Sequence, residues 1–210
     1  MNPVPAARIQ FLPEDRAWIA DRIQEVLASG QLTLGKYGSQ FEKAFSEFCG
    51  IRHAIAVSSG TSALEILFRT IGVEGKKVIV PSNTFFATAA AVVHAGGIPV
   101  FADMDPETFA LGPETVKPLL EPGVAGIVTV HIGGVVSPRM PDLVSLAREK
   151  GLFLVEDAAH AHGSSHGSTG AGGFGLGATF SFYPTKVMTS AEGGMIVTGD
   201  ERLAEEARIY

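Results

Sequence analysis

Asp157 and Lys186 are residue types that, at their spacing, could share one chemical task. An apolar run, Leu152 to Val155, delivers Glu156 and Asp157. A glycine-rich passage follows, and a second apolar run ends in Ser181-Phe182-Tyr183-Pro184-Thr185-Lys186. Lys186 comes 29 residues after Asp157, so an acid at the end of one strand and a lysine just past the next can converge on one pocket. A lysine amine can hold an aldehyde as a Schiff base. An acid beside a pyridine nitrogen keeps that nitrogen protonated, so the ring absorbs the electrons released when a C–H bond breaks. Pyridoxal 5′-phosphate needs both groups. Taken singly, the residues say less: a lysine after Pro-Thr reads as a surface side chain, and an aspartate after a strand as a helix cap.

Other stretches could serve the same pocket. Ala54 to Val57 reads as a short strand, followed by Ser58-Ser59-Gly60-Thr61-Ser62 and a helical pattern through Thr70. Strand, small-residue turn and helix together aim free backbone N–H groups at an anion, and Gly60 lets the backbone come close. An ordinary helix cap is the alternative. Lys77 to Val80 is a buried strand, and Ser82-Asn83-Thr84-Phe85-Phe86-Ala87-Thr88 opens an Ala-rich helix through His94. An aromatic face there could hold a flat ring by stacking. Of the two phenylalanines, Phe86 is expected in the core. No metal is expected: Asp103-Met104-Asp105 is followed by a turn-forming proline, and His160, His162 and His166 have no cysteine nearby. His162 and His166 read as solvated loop residues.

The elements that must position these groups alternate between short apolar strands and helices. That pattern argues an α/β fold, a three-layer α/β/α domain around a mostly parallel sheet. In such sheets ligands sit outside the carboxyl ends of the strands. Ser58, Ser82, His131, Asp157 and Lys186 all follow a strand or lie just beyond one. Before them, Pro13 to Leu27 reads as an amphipathic packing helix with Trp18, Ile19, Ile23, Val26 and Leu27 on one face, ended by Gly30. Gln31 to Gly38 is a loop. Phe41 to Cys49 is a helix with Phe41, Ala44, Phe45 and Phe48 inward. We divide the chain into an N-terminal helix and loop segment, 1–35, and a large domain, 36–210.

Composition sets bounds. A chain of 210 residues with 46% hydrophobic and 18% charged residues can bury a substantial core. A net charge of −6 gives no reason to expect nucleic acid or an anionic membrane as partner. The lone Cys49 cannot form an internal disulfide, which suits a reducing compartment. MNPVPAARIQFLPEDR has no continuous apolar core and is not a signal peptide, and no window approaches a membrane span. A cytoplasmic location is expected.

Four separated blocks then carry a resemblance: SSGTSAL at 58–64, PSNTFFAT at 81–88, VEDAAHAHG at 155–163 and FSFYPTK at 180–186 with EGG at 192–194. Together, in this order, they resemble the DegT-type nucleotide-sugar aminotransferases, which are fold type I pyridoxal-phosphate enzymes. The resemblance implies that Lys186 is catalytic and carries the cofactor, and that Asp157 meets its pyridine nitrogen. It further implies that Phe85 stacks on the ring, that Gly60, Thr61 and Ser181 hold the phosphate, and that His160 contacts the phenolic oxygen. It implies an aminotransferase moving an amino group, from glutamate, onto a nucleotide-linked keto-sugar, with small molecules as substrates and a homodimer as the working form. Sugar-dehydrating relatives carry histidine in place of the lysine, so Lys186 speaks against that chemistry. After His131, where the family often shows an aromatic and Tyr-Gly, this chain has Ile132-Gly133-Gly134. Family members are about twice as long, so a C-terminal small domain is expected to be missing. A truncated, non-catalytic cofactor-binding or association domain is the alternative reading.

Overall fold

The computed structural model describes residues 9–210, so the first half of the stretch read as lacking a signal peptide lies outside the described residues. The chain divides into two compact units, one up to Phe41 and one from Glu42 to Tyr210. In the first, α1 (Pro13–Ser29) starts with proline at its head and Glu14 and Asp15 in its first turn, where the helix dipole favours acids. Gly30 closes it in the left-handed conformation, φ 71°, its N–H donating to the Leu27 carbonyl. The predicted helix is present, but none of its side chains is buried: Trp18, Ile23 and Leu27 are all exposed. The next helix, α2 (Lys36–Cys49), begins five residues earlier than its apolar pattern suggests. Glu25 explains this early start, since its Oε2 accepts from Lys36 Nζ at 2.8 Å and from the Tyr37 hydroxyl.

The second unit runs β1 (His53–Val57), α3 (Gly60–Ile71), β2 (Lys77–Pro81), α4 (Ala87–His94), β3 (Ile98–Ala102) and α5 (Pro113–Val116). It continues with β4 (Val124–Val130), α6 (Met140–Lys150), β5 (Phe153–Asp157) and a small hairpin of β6 (Ser165–His166) and β7 (Thr169–Gly170). It closes with β8 (Gly177–Ser181), β9 (Gly194–Thr198) and α7 (Glu201–Ala207). Seven strands form one sheet in the order β1-β9-β8-β5-β4-β2-β3. The run from β8 to β3 is parallel, and only β9 opposes its neighbours. The expected mostly parallel α/β sheet is therefore observed, with one reversal that hydrophobic runs cannot reveal.

Alternation along each strand sends side chains to opposite faces. Ile55, Val78, Val80, Val128, Val155 and Ile196 join α3, α4 and α7 in one apolar core. Ile79, Ile127 and Leu154 alternate with them, buried on the other face, where α6 packs against β5. On α2 the predicted inward stripe shrinks to Phe45, which is buried edge-on against Phe180 and Phe182 at 5.0 and 5.2 Å. Ala44 and Phe48 are exposed, contrary to expectation. The outer edge of β1 is covered by an ion pair. Glu42 Oε1 accepts from the Ala56 N–H at 2.9 Å, and Arg208 pairs with Glu42 while donating to the Ala54 carbonyl at 3.0 Å.

Candidate active site

Glu156 and Asp157 end β5 and face opposite sides of the sheet. Asp157 turns to a cavity of about 580 Å³ beyond the strand ends. Its Oδ2 accepts from the Thr88 hydroxyl at 2.7 Å, and its Oδ1 from the Ala159 N–H at 3.2 Å. Glu156 turns inward and is fully buried. Its carboxylate accepts from the backbone N–H groups of Gly172, Phe174 and Gly175 at 2.7–2.8 Å and meets His131 Nε2 at 2.9 Å. The glycine-rich passage thus has a physical reason: a Cβ on Gly175 would lie 2.3 Å from the Leu154 carbonyl oxygen. His131, at the end of β4, is a buried tie that also donates its N–H to the Asp157 carbonyl.

Across the cavity, Lys186 follows β8 in a turn closed by its N–H donating to the Tyr183 carbonyl at 2.9 Å. Burial holds its amine below the ordinary lysine range, and the Asp157 carboxylate only partly opposes this. Burial likewise lowers His160, helped by the Lys186 charge and opposed by Asp157. The start of α3 forms another wall. Ser59 caps the helix by accepting from the Ser62 N–H at 3.0 Å, and Gly60 and Thr61 follow. A Cβ on Gly60 would lie 2.9 Å from Ser181 Cβ, so glycine is what lets this helix terminus rest against β8.

Gly60, Thr61, Phe85, Asp157, His160, Ser181 and Lys186, the residues expected at the site, all line this cavity. Ser58 and Ser82, which also follow strands, do not. Phe85 is 67% exposed on the cavity wall, and Phe86 is 70% exposed rather than in the core. Both rings precede the first turn of α4, and the core positions there go to Ala87 and Thr88 instead. His162 is also not a solvated loop residue. It packs among Phe45, Phe180 and Phe182, and burial drives its pKa down to about 4. Neither ring nitrogen makes a hydrogen bond of good geometry, although the nearby Ser181 backbone favours the charged form in part. His166 is half-buried in β6. Sequence reading missed Thr84, Tyr183, Thr185 and Glu192 on the wall and Thr88 behind it. The Thr84–Thr88 spacing of one helical turn was the available signal.

An anion-ready helix start, a depressed lysine and an acid around one cavity are the donor set that pyridoxal phosphate requires. The model of the DegT/DnrJ/EryC1/StrS aminotransferase family matches residues 13–210. The chain belongs to that family. Members of the family use pyridoxal phosphate. This DegT-family chain is 40% identical over 178 residues to the GDP-perosamine synthase of Caulobacter vibrioides, covering 84% of this chain and 48% of the relative. Its fold superimposes on DesI, solved in the presence of its TDP-sugar product, with a TM-score of 0.88 and 38% identity over 92% of this chain and 49% of DesI. It also matches NtdA of Bacillus subtilis with bound cofactor PMP, with a TM-score of 0.85 and 33% identity over 99% of this chain and 48% of NtdA. The chain spans about half the length of the curated relatives it matches. No helix among the described residues is long and apolar enough to cross a membrane.

Proposed function

We propose that this DegT-family chain carries the cofactor site of an aminotransferase that moves an amino group from glutamate to a nucleotide-linked keto-sugar. The observation that carries the reading is the convergence of Lys186, Asp157 and the start of α3 on one cavity. In this reading Lys186 binds the cofactor aldehyde and Asp157 meets its pyridine nitrogen. Phe85 covers the ring face, and His160 meets the phenolic oxygen. Gly60, Thr61 and Ser181 receive the phosphate at the helix start, where free N–H groups and the dipole favour negative charge. When bound, pyridoxal phosphate supplies an electron sink for the C–H bond that is broken. With the cofactor bound, Lys186 Nζ would be the group on this cavity placed to take a proton from the substrate carbon and to give one back. Burial suits it to that work, because an amine held below its ordinary range is more readily unprotonated.

The nucleotide sugars in the names of the synthase and of the DesI structure support the acceptor class. We place the reaction in the cytoplasm, in a homodimer, and assign residues 36–210 to the cofactor-binding domain. The test is an absorbance spectrum of the purified chain with pyridoxal phosphate, before and after glutamate, repeated on Lys186→Ala. A band that needs Lys186 and is bleached by glutamate is the expected result. No lysine-dependent band overturns the reading for this chain.

A further inference from the structure

Behind the cavity wall, Asp157 is reached by a chain of hydroxyls that the proposed reaction leaves unused. Thr88 is fully buried in the first turn of α4, and its hydroxyl donates to Asp157 Oδ2 at 2.7 Å. A second contact of 2.7 Å joins it to the hydroxyl of Thr84, which lines the cavity. The direction of both bonds follows from valence. A carboxylate only accepts, and a hydroxyl has one proton to give. Thr88 gives its proton to Asp157, so Thr84 must supply the proton of the second bond. The relay therefore runs from the cavity wall to Asp157, and Thr84 has only lone pairs left for the cavity side.

This is not what a helical threonine does by default. Thr70, near the end of α3, turns its hydroxyl back to the carbonyl four residues earlier, Ile66, at 2.9 Å. Thr88 instead reaches a side chain on another element from a fully buried place, where a hydroxyl costs free energy unless it is hydrogen-bonded. The other contact to the carboxylate, from the Ala159 N–H, is 3.2 Å long, and a single longer bond leaves the plane of the group free to turn.

We propose that Thr88, supported by Thr84, is a positioning residue that fixes the rotation of the Asp157 carboxylate, so that its remaining acceptor positions face the cofactor's pyridine nitrogen. The inference rests on the proposed cofactor site. Its test uses pyridoxamine 5′-phosphate, which has no aldehyde and so reports ring and phosphate contacts without a bond to Lys186. Calorimetric titration of the unmutated chain, Thr88→Val, Thr88→Ser and Thr84→Val is repeated with each change in an Asp157→Ala background. We expect Thr88→Val to bind roughly tenfold more weakly, as loss of one hydrogen bond to a charged group implies. Thr88→Ser should stay within about twofold because it keeps the donor, and Thr84→Val should lose about threefold. With Asp157→Ala in place the threonine changes should add nothing, since coupled residues are non-additive. Equal loss in Thr88→Val and Thr88→Ser would mean packing and would overturn the proposal, as would unchanged binding or additive losses. If Thr88→Val does not fold, Thr84→Val decides the matter by the same cycle. Binding by the unmutated chain that ignores both threonines refutes the relay alone. No binding by the unmutated chain refutes the cofactor site and the relay together.

Discussion

Glu156 and Asp157 are neighbours on one strand, yet they live in different regions of the molecule. Glu156 faces the glycine-rich passage and is saturated by three backbone N–H groups and His131, with no exposed surface. Asp157 faces the cavity with one partner on each oxygen and capacity to spare. A saturated buried carboxylate organises backbone, and an open one can meet a ligand. The period of the strand separates the pair, and what lies over each face decides its role.

The largest effect should come from breaking the saturated side. Glu156→Ala leaves three N–H groups and His131 without partners, and urea unfolding should show a loss of about 3–5 kcal/mol. Asp157→Ala should cost only about 1–2 kcal/mol of stability. Asp157→Asn should slow the glutamate half-reaction by about 100-fold or more, followed by bleaching of the lysine-dependent band. Equal destabilisation by the two alanine changes would erase the contrast. On the cavity side, Gly60→Ala pushes α3 off Ser181. Thermal melts and cofactor titration should register a loss of about 1–3 kcal/mol together with weaker phosphate capture.

His162 sharpens the comparison through pH. Its folded pKa of about 4 lies below the ordinary 6.5, so the unfolded chain binds the proton more readily. Stability is therefore full above 6.5 and falls as the pH drops toward 4. Replacing His162 with phenylalanine should flatten that part of the profile in denaturant titrations run across the window. The smallest difference should separate the two phenylalanines. Phe86→Ala should change stability by no more than about 0.5 kcal/mol, as expected of an exposed side chain. Phe85→Ala should weaken cofactor binding about two- to tenfold through lost stacking.

Much of this was legible in the chain. The strands showed as apolar runs, β3 with both of its ends, and Asp157 and Lys186 stood out by type and spacing. What stayed hidden depends on contacts between distant residues. Nothing local says that Gly194 to Thr198 runs against its neighbours, since direction is set by pairing rather than by pattern. Nothing local distinguishes Phe85 from Phe86 either, because the helix starts one residue later than a core position at Phe86 would need. The aromatic enclosure of His162 joins residues from α2, β8 and the turn after β8, and Thr88 meets Asp157 across 69 positions.

The Glu42–Arg208 pair on β1 joins residues 166 positions apart. A strand edge with free N–H and carbonyl groups invites pairing with another chain, and here one N–H and one carbonyl of that edge are occupied by side chains. Among the described residues, Arg208 follows every strand of the sheet in sequence. While Glu42 or Arg208 is out of place the β1 edge stands open, so partial unfolding of α2 or α7 exposes a rim that can pair with another chain.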